Sequence, residues 1–167
     1  MSAIGWLLFA LGRLRQSGRR ANLFRSEQGN TVMTHIEGGC LCGKVRYSAD
    51  AEPVFIGVCH CTDCQHFTGS AFATVIGLPA AALNVSGTLK TFTKAGDTGK
   101  PMHRRFCPEC GSGIMDEGDA LPGVVMVNVG TLDDRSWVKP QSEVYCDSAQ
   151  PWVKLSGELK RFGKMPA

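Results

Sequence analysis

Seven of the eight cysteines fall into three short segments, and this grouping limits what the chain can fold into more than any other feature. The segments are Cys40-Leu41-Cys42, Cys59-His60-Cys61-Thr62-Asp63-Cys64 and Cys107-Pro108-Glu109-Cys110. Cysteines two or three residues apart can direct two thiolates at one metal ion, and a second, distant turn can complete the tetrahedral coordination that zinc prefers. The pattern is therefore typical of a zinc protein.

A disulfide framework is the alternative, because an even number of cysteines can pair in secreted chains. Such scaffolds are usually short, whereas this chain has 167 residues, of which 43% are hydrophobic. A chain of that size can bury a core without covalent cross-links. A bridge between Cys40 and Cys42 would also close a small strained ring, since bridged Cα atoms lie about 4.4–6.8 Å apart. We therefore expect free, metal-binding thiols and a reducing, cytoplasmic compartment.

The seven grouped cysteines divide into a set of four and a set of three. The set of four comes from two glycine-bordered turns and comprises Cys40, Cys42, Cys107 and Cys110. We expect these four to hold a closed, structural zinc ion, because glycine lets the turn backbone fold toward the sulfur atoms. The set of three comprises Cys59, Cys61 and Cys64. A site with three protein ligands keeps a position open for water or substrate, so we expect a second, catalytic zinc ion there.

Three other residues are alternatives for a fourth ligand beside this trio. His60 lies between two of its cysteines in extended chain, so its side chain is expected on the opposite face. His66 follows Cys64 by two residues and is expected to project from another side of the turn. Cys146 stands alone in an expected strand, where a cysteine is typically a small buried apolar residue. We therefore expect an exchangeable position at the trio.

The body of the chain reads as short strands separated by glycine and proline, with no long helical period. Alternating or β-branched stretches predict strands at residues 44–48, 54–58, 71–78, 89–93, 124–129, 143–145 and 159–162. Single helical turns are predicted over residues 62–68 and 79–83. Many short strands at close spacing indicate an all-β domain of antiparallel sheets.

Residues 1–32 differ from the rest and are predicted to be an N-terminal extension to a domain at 33–167. They contain five arginines and one acidic residue, and the apolar run at residues 3–11 is shorter than the roughly 20 residues of a membrane-spanning helix. The arginines follow the apolar run, whereas a secretory signal places its positive charge before the apolar stretch, so the segment does not resemble such a signal. It could be a non-core extension, an amphipathic targeting or membrane-surface helix, or a helix docked on the domain. No integral membrane segment is expected.

The distribution of charged residues and the chemistry of the zinc ligands limit the functions that the chain can have. The body of the chain lacks a concentration of Lys and Arg, so no nucleic-acid partner is expected. Three thiolates make zinc a weaker Lewis acid than three histidines do, which disfavours hydroxide formation. A thiolate-rich site can instead hold an incoming thiol in its deprotonated form. The predicted chemistry makes or breaks a bond between a small thiol and an electrophilic carbon.

These motifs resemble those of the glutathione-dependent formaldehyde-activating enzymes, a family that includes centromere-protein-V-like proteins. The similarity runs through residues 38–47, 59–64, 68–72 and 106–112, and weakly through Pro151-Trp152. It implies a β-tent fold with two zinc ions divided between the four-cysteine and three-cysteine sets described above. It also implies carbon–sulfur lyase activity that condenses glutathione with formaldehyde. The family's frequent His-Ile pair is replaced here by residues 143–146, so no substrate contact is transferred to that region.

The main hypothesis is an enzyme that adds glutathione or another small thiol to formaldehyde or a related electrophile, or runs the reverse reaction, at the three-cysteine zinc. Candidates for moving the proton are Asp63, His66 and Ser70. Arginines that could pair with substrate carboxylates are Arg46, Arg104 and Arg105, although exposed strand arginines are mostly surface residues. The alternative is a non-catalytic, zinc-stabilised binding module for a protein or nucleic-acid partner. A third hypothesis is a redox or metal-buffering protein.

Overall fold

Eleven short strands and one α-helix follow one another in the computed structural model, which describes residues 34–166. The strands are β1 (His35–Gly39), β2 (Arg46–Asp50), β3 (Phe55–Cys59), β4 (Ala73–Pro79), β5 (Leu83–Ser86), β6 (Lys90–Ala95), β7 (Pro101–Phe106), β8 (Gly113–Gly118), β9 (Val124–Asn128), β10 (Ser142–Val144) and β11 (Lys160–Arg161). The helix α1 spans Thr62–Thr68, and 3-10 turns occupy Ala80–Ala82, Val129–Thr131 and Cys146–Ser148. The all-β prediction is confirmed. The predicted extension at residues 1–32 lies outside the described residues.

The strands form two sheets. A three-stranded antiparallel sheet has the order β1-β2-β5, and an eight-stranded sheet has the order β11-β10-β3-β4-β9-β8-β7-β6. Burial alternates along β2, where Tyr47 and Ala49 are buried and their neighbours are more exposed. This alternation is expected for a strand with one face on the core.

The core is one cluster to which both sheets contribute. Ile36, Tyr47 and Ala49 come from the small sheet, and Ile76, Leu78, Ile114, Met115, Val125 and Val127 come from the large one. The Tyr47 hydroxyl hydrogen-bonds the Thr131 hydroxyl at 2.8 Å, which satisfies the polar end of a buried aromatic side chain. The two sheets are therefore held together by shared apolar burial.

The pairing of β10 corrects the expectation of purely antiparallel sheets. This strand runs parallel to both β3 and β11, and Val144 lies opposite Cys59. A parallel pair needs a long connection, and more than 80 residues of chain separate β3 from β10. The predicted strand at 143–145 also ends earlier than expected, because Tyr145 adopts a left-handed backbone with φ of 57°.

Helix α1 coincides with the helical turn predicted for residues 62–68. It begins after Cys61, whose sulfur accepts a hydrogen bond from the Cys64 amide, and it ends at Gly69 with φ of 63°. A left-handed glycine is a common helix terminator because it has no β-carbon to clash. Gly113 lets the Phe67 ring pack closely on β8, where a β-carbon would meet that ring. Within residues 34–166, no helix combines the length and apolarity needed to cross a membrane.

Candidate metal centres and the adjoining cavity

The two glycine-bordered cysteine turns meet in the fold, although more than 60 residues separate them in the chain. The Sγ atoms of Cys40 and Cys42 are 3.4 Å apart, and those of Cys42 and Cys107 are 3.8 Å apart. All four sulfurs, including that of Cys110, lie within 4.8 Å of one another. Sulfurs about 2.3 Å from a tetrahedral zinc ion lie about 3.8 Å apart, so the four positions fit such an ion.

Local backbone geometry explains why each turn directs its sulfurs inward. Gly43 and Gly111 have φ of 78° and 73°, the left-handed region that favours glycine. The Val45 amide donates to the Cys40 sulfur at 3.2 Å, and the Gly111 amide donates to the Cys107 carbonyl at 2.9 Å. Amide donors near sulfur stabilise the thiolate form that a metal ion requires.

Side chains join the two turns to each other. The Ser112 hydroxyl accepts a hydrogen bond from the Leu41 amide at 3.1 Å and lies 3.2 Å from the Cys110 sulfur. Its hydrogen bond lowers the pKa of Cys110 to about 5. Lys44 and Glu109 form an ion pair of 2.6 Å across the same junction. These contacts bring the turns together without help from a disulfide.

The sulfurs of Cys59, Cys61 and Cys64 form a second group within 4.8 Å of one another. Cys59 ends β3, Cys61 precedes α1 and Cys64 lies in its first turn. Within residues 34–166, no further His, Cys, Asp or Glu ligand atom joins this group. All eight cysteines are free thiols, which excludes the disulfide framework. The geometry therefore brings the three predicted ligand atoms together, and whether they bind a catalytic metal ion stays a prediction.

The three thiols of the trio differ in pKa. The Cys59 thiol hydrogen-bonds the Cys61 sulfur and lowers the pKa of Cys61 to about 2, with smaller contributions that include the charge of Arg104. The same hydrogen bond raises the pKa of Cys59 to about 12, and hydrogen bonds with both neighbours raise the pKa of Cys64. Cys61 is therefore the most acidic thiol of the trio, and the thiolate is the form that binds metal.

None of the three alternative fourth ligands joins the trio. His60 points away as expected and hydrogen-bonds Glu143 at 3.0 Å, with only 1% of its surface exposed. Nδ1 of His66 lies 2.8 Å from the Thr62 carbonyl oxygen. Cys146 is half-buried in a 3-10 turn, rather than in the predicted strand, and its ligand atom groups with those of His60 and Glu143.

The buried pair of His60 and Glu143 anchors the chain between two cysteines of the trio. Glu143 lies on β10, so the pair connects the end of β3 to a strand 83 residues later. Arg161 approaches the second oxygen of Glu143 at 3.8 Å. Sequence analysis missed this role of Glu143, because nothing near it in the chain indicates a buried carboxylate.

The expectation that the candidate arginines lie on the surface is wrong for Arg104. Its side chain is only 9% exposed, and its Nη2 lies 3.4 Å from the Asp63 carboxylate. By contrast, Arg46 pairs with Asp133 and Arg105 pairs with Glu117 in more exposed positions. Helix α1 supplies Asp63 as a counter-charge for this buried guanidinium.

A cavity of about 390 Å³ lies beside the trio. Its lining residues come from α1, β6 and β7 and are Asp63, His66, Phe67, Phe92, Lys94 and Arg104. Lys94 donates to Asp63 at 2.7 Å. Since α1 carries both Cys64 and three of these lining residues, the helix joins the sulfur trio to the cavity. Ser70, another candidate for proton movement, is not among the lining residues.

Two polar residues near the trio have no signal in the sequence. Asp116 on β8 is buried, and this burial raises its pKa to about 7. Tyr145 combines a left-handed backbone with a pKa raised to about 12, chiefly by burial and also by the charges of Asp97, Cys59 and Cys61. A left-handed non-glycine residue is uncommon and concentrates at functional sites.

Comparison with known proteins agrees with the cysteine geometry. Residues 35–148 match the family described as glutathione-dependent formaldehyde-activating enzyme. The chain belongs to this family. A crystal structure of a Rhodobacter sphaeroides protein is 24% identical, aligns with 58% of this chain and 87% of its own, and gives a TM-score of 0.48. No curated protein matches the chain.

Proposed function

We propose that the protein is a cytoplasmic, zinc-dependent carbon–sulfur lyase. It would add a small thiol such as glutathione to formaldehyde or a related electrophile, or catalyse the reverse reaction. The observation that carries this proposal is the convergence of the Cys59, Cys61 and Cys64 sulfurs without a fourth ligand in the described chain, beside a cavity. Membership of the formaldehyde-activating family supports the same chemistry.

The two sulfur groups would hold two zinc ions with different duties. The four-cysteine group would hold a structural ion, because four protein ligands leave no position for substrate. The three-cysteine group would hold the catalytic ion, and zinc bound there would supply a site that keeps an incoming thiol deprotonated near neutral pH.

The reaction is an addition that needs no oxidant or reductant. The thiol sulfur donates an electron pair to the carbonyl carbon and a carbon–sulfur bond forms. The carbonyl π electrons move to oxygen, which finally carries the proton that the thiol releases. Because formaldehyde is already a strong electrophile, holding the two reactants side by side would supply most of the acceleration.

Residues that line the cavity would manage the proton. The Thr62 carbonyl oxygen beside Nδ1 of His66 can only accept a hydrogen bond, so in a neutral ring Nε2 would be the nitrogen without a proton. His66 is therefore our candidate for accepting the thiol proton and returning it to the product oxygen. Asp63 is held by Lys94 and Arg104 and would maintain the position of these cations.

The decisive variant is Cys61→Ser, with Cys146→Ser as the matched control because Cys146 lies outside the trio. Wild-type protein and control should each contain two zinc ions and bind glutathione. We expect Cys61→Ser to lose the ion of the trio and to lower the rate of S-hydroxymethylglutathione formation by about 100-fold or more. Zinc content by mass spectrometry, glutathione affinity by calorimetry and the condensation rate provide the three readouts.

Unchanged glutathione binding in Cys61→Ser would remove the proposed role of the trio. Two zinc ions that resist exchange, together with no response of the wild-type protein to any thiol, would instead favour the non-catalytic binding module. Reversible oxidation of the trio with release of zinc would favour the redox or metal-buffering protein.

A further inference from the structure

The cavity beside the trio contains a guanidinium group with few partners. Arg104 can donate five hydrogen bonds. Within residues 34–166, Arg104 makes one side-chain hydrogen bond, from Nη2 to the Asp63 carboxylate at 3.4 Å, and its Nε has no partner. Asp116 lies opposite Arg104 on β8 but makes no hydrogen bond with it, so the buried guanidinium keeps donors that an anionic ligand could use.

Lys94 supplies a second cation on the same wall. Its ammonium group donates to Asp63 at 2.7 Å and has two further protons to donate. Asp63 is the one carboxylate among the cavity-lining residues that the structure describes, and it faces both Lys94 and Arg104. One carboxylate cannot neutralise two cations, so the lining of the cavity carries net positive charge.

The remaining wall is apolar. Phe67 and Phe92 line the cavity, and Phe92 is 57% exposed, which is unusual for a large aromatic side chain. Such a combination suits an organic anion, whose carbon chain can lie against the rings while its charged end reaches the cations. A planar carboxylate in particular can accept two hydrogen bonds from one guanidinium group.

We propose that this cavity binds a carboxylate group of the substrate, and that Lys94 and Arg104 determine specificity for it. The inference rests on the proposed function, because the substrate must also bring its reacting atom to the neighbouring sulfur trio. The carboxylate can belong to the thiol, as in glutathione, or to the electrophile, as in an aldehyde that carries an acid group such as glyoxylate.

The principal variant is Lys94→Gln, because the Lys94 side chain is 54% exposed and its loss should leave the fold intact. Lys90→Gln is the matched control, since Lys90 is an exposed lysine on the same strand and is not part of the cavity lining. Lys94→Arg keeps the charge and tests rescue. Circular dichroism and thermal melting check that all three variants fold.

The first arm of the experiment places the carboxylate on the thiol. Binding to zinc-loaded protein is measured by calorimetry for glutathione and its diethyl ester, and for 3-mercaptopropionate and 2-mercaptoethanol. If the carboxylate belongs to the thiol, Lys94→Gln should weaken binding of glutathione and 3-mercaptopropionate about tenfold and change the affinity for the two thiols without a carboxylate by no more than about twofold. Lys94→Arg should restore affinity to within about threefold.

The second arm places the carboxylate on the electrophile. Steady-state rates are measured for glyoxylate and acetaldehyde with 2-mercaptoethanol as a neutral thiol. If the electrophile is the source, Lys94→Gln should raise the KM for glyoxylate about tenfold with little change in kcat, and acetaldehyde should be unaffected. Lys90→Gln should match the wild type in both arms.

The outcomes separate this inference from the function on which it rests. A carboxylate preference that disappears in Lys94→Gln supports the cavity assignment in whichever arm it appears. The assignment is wrong if thiols without a carboxylate bind normally and neither arm shows a preference for a carboxylate. It is also wrong if Lys90→Gln and Lys94→Gln have equal effects. In both cases the proposed function stands. Failure of 2-mercaptoethanol and glutathione to bind zinc-loaded wild-type protein overturns the proposed function and the assignment together.

Discussion

At the scale of single residues, burial separates groups that the sequence cannot distinguish. Asp116 and Arg104 lie on neighbouring strands, both are buried, and both contain polar atoms without a hydrogen-bond partner among the described residues. Burial raises the pKa of Asp116 from 3.8 to about 7, while the charge of Arg104 acts in the opposite direction. The folded protein therefore binds a proton at Asp116 more tightly than the unfolded chain does.

This pKa predicts how stability changes with pH. Between pH 3.8 and about 7 the unfolded chain releases the Asp116 proton while the folded protein keeps it, so the free energy of unfolding falls as pH rises. Asp116→Asn removes this dependence. From about pH 5.5 to about pH 7, the free energy of unfolding of the wild type should fall by about 1–2 kcal/mol relative to that of the variant. Urea unfolding at each pH measures this difference. If the free energies of unfolding of the wild type and the variant change in parallel with pH, the raised pKa of Asp116 is contradicted.

Residue roles that depend on local spacing could be predicted, and those that depend on distant partners could not. Two thiolates on one short turn must face one centre, so each cysteine of the two groups is found where spacing places it. The outward direction of His60 follows from strand alternation in the same way. No local pattern indicates that Arg104 is buried, and its counter-charge Asp63 lies 41 residues earlier in the chain.

At the scale of elements, helix α1 was predictable because its ends are encoded within a few residues. Strands β1, β5, β7 and β8 were missed. The β7 sequence from Pro101 to Phe106 contains a histidine and two arginines, so its pattern does not show which face is buried. The parallel contact of β10 with β3 also had no local signal, since periodicity does not record a partner in a remote part of the chain.

Close packing of β1 against the core gives a test at this scale. A β-carbon at Gly38 would overlap the Tyr47 hydroxyl and the Thr131 carbonyl oxygen, and the latter is backbone that cannot move aside. Gly38→Ala should therefore lower the free energy of unfolding by about 2–3 kcal/mol. Gly130→Ala is the matched control, because a β-carbon there meets nothing within 4 Å. Equal unfolding midpoints in urea for the two variants would show that β1 does not pack this closely.

At the scale of the whole molecule, the four-cysteine group occupies the junction of the two sheets. Cys40 and Cys42 lie between β1 and β2 of the small sheet, whereas Cys107 and Cys110 lie between β7 and β8 of the large sheet. Cys107 is fully buried and Cys40 nearly so. A metal ion held here would cross-link two layers, and its binding free energy would add directly to folding. The trio lies within the large sheet and α1 and makes no such link.

The difference in position predicts unequal effects of removing each metal ion. Cys42→Ser is the better probe of the four-cysteine site, because Cys42 is exposed and its loss disturbs little packing. We expect it to lower the melting temperature by about 10 °C or more through loss of the cross-linking ion. Cys61→Ser should shift the melting temperature by about 3 °C or less, since serine can also cap α1. Calorimetric melting with zinc analysis of both variants measures this contrast, and equal destabilisation by the two substitutions would contradict the division into a structural and a catalytic ion.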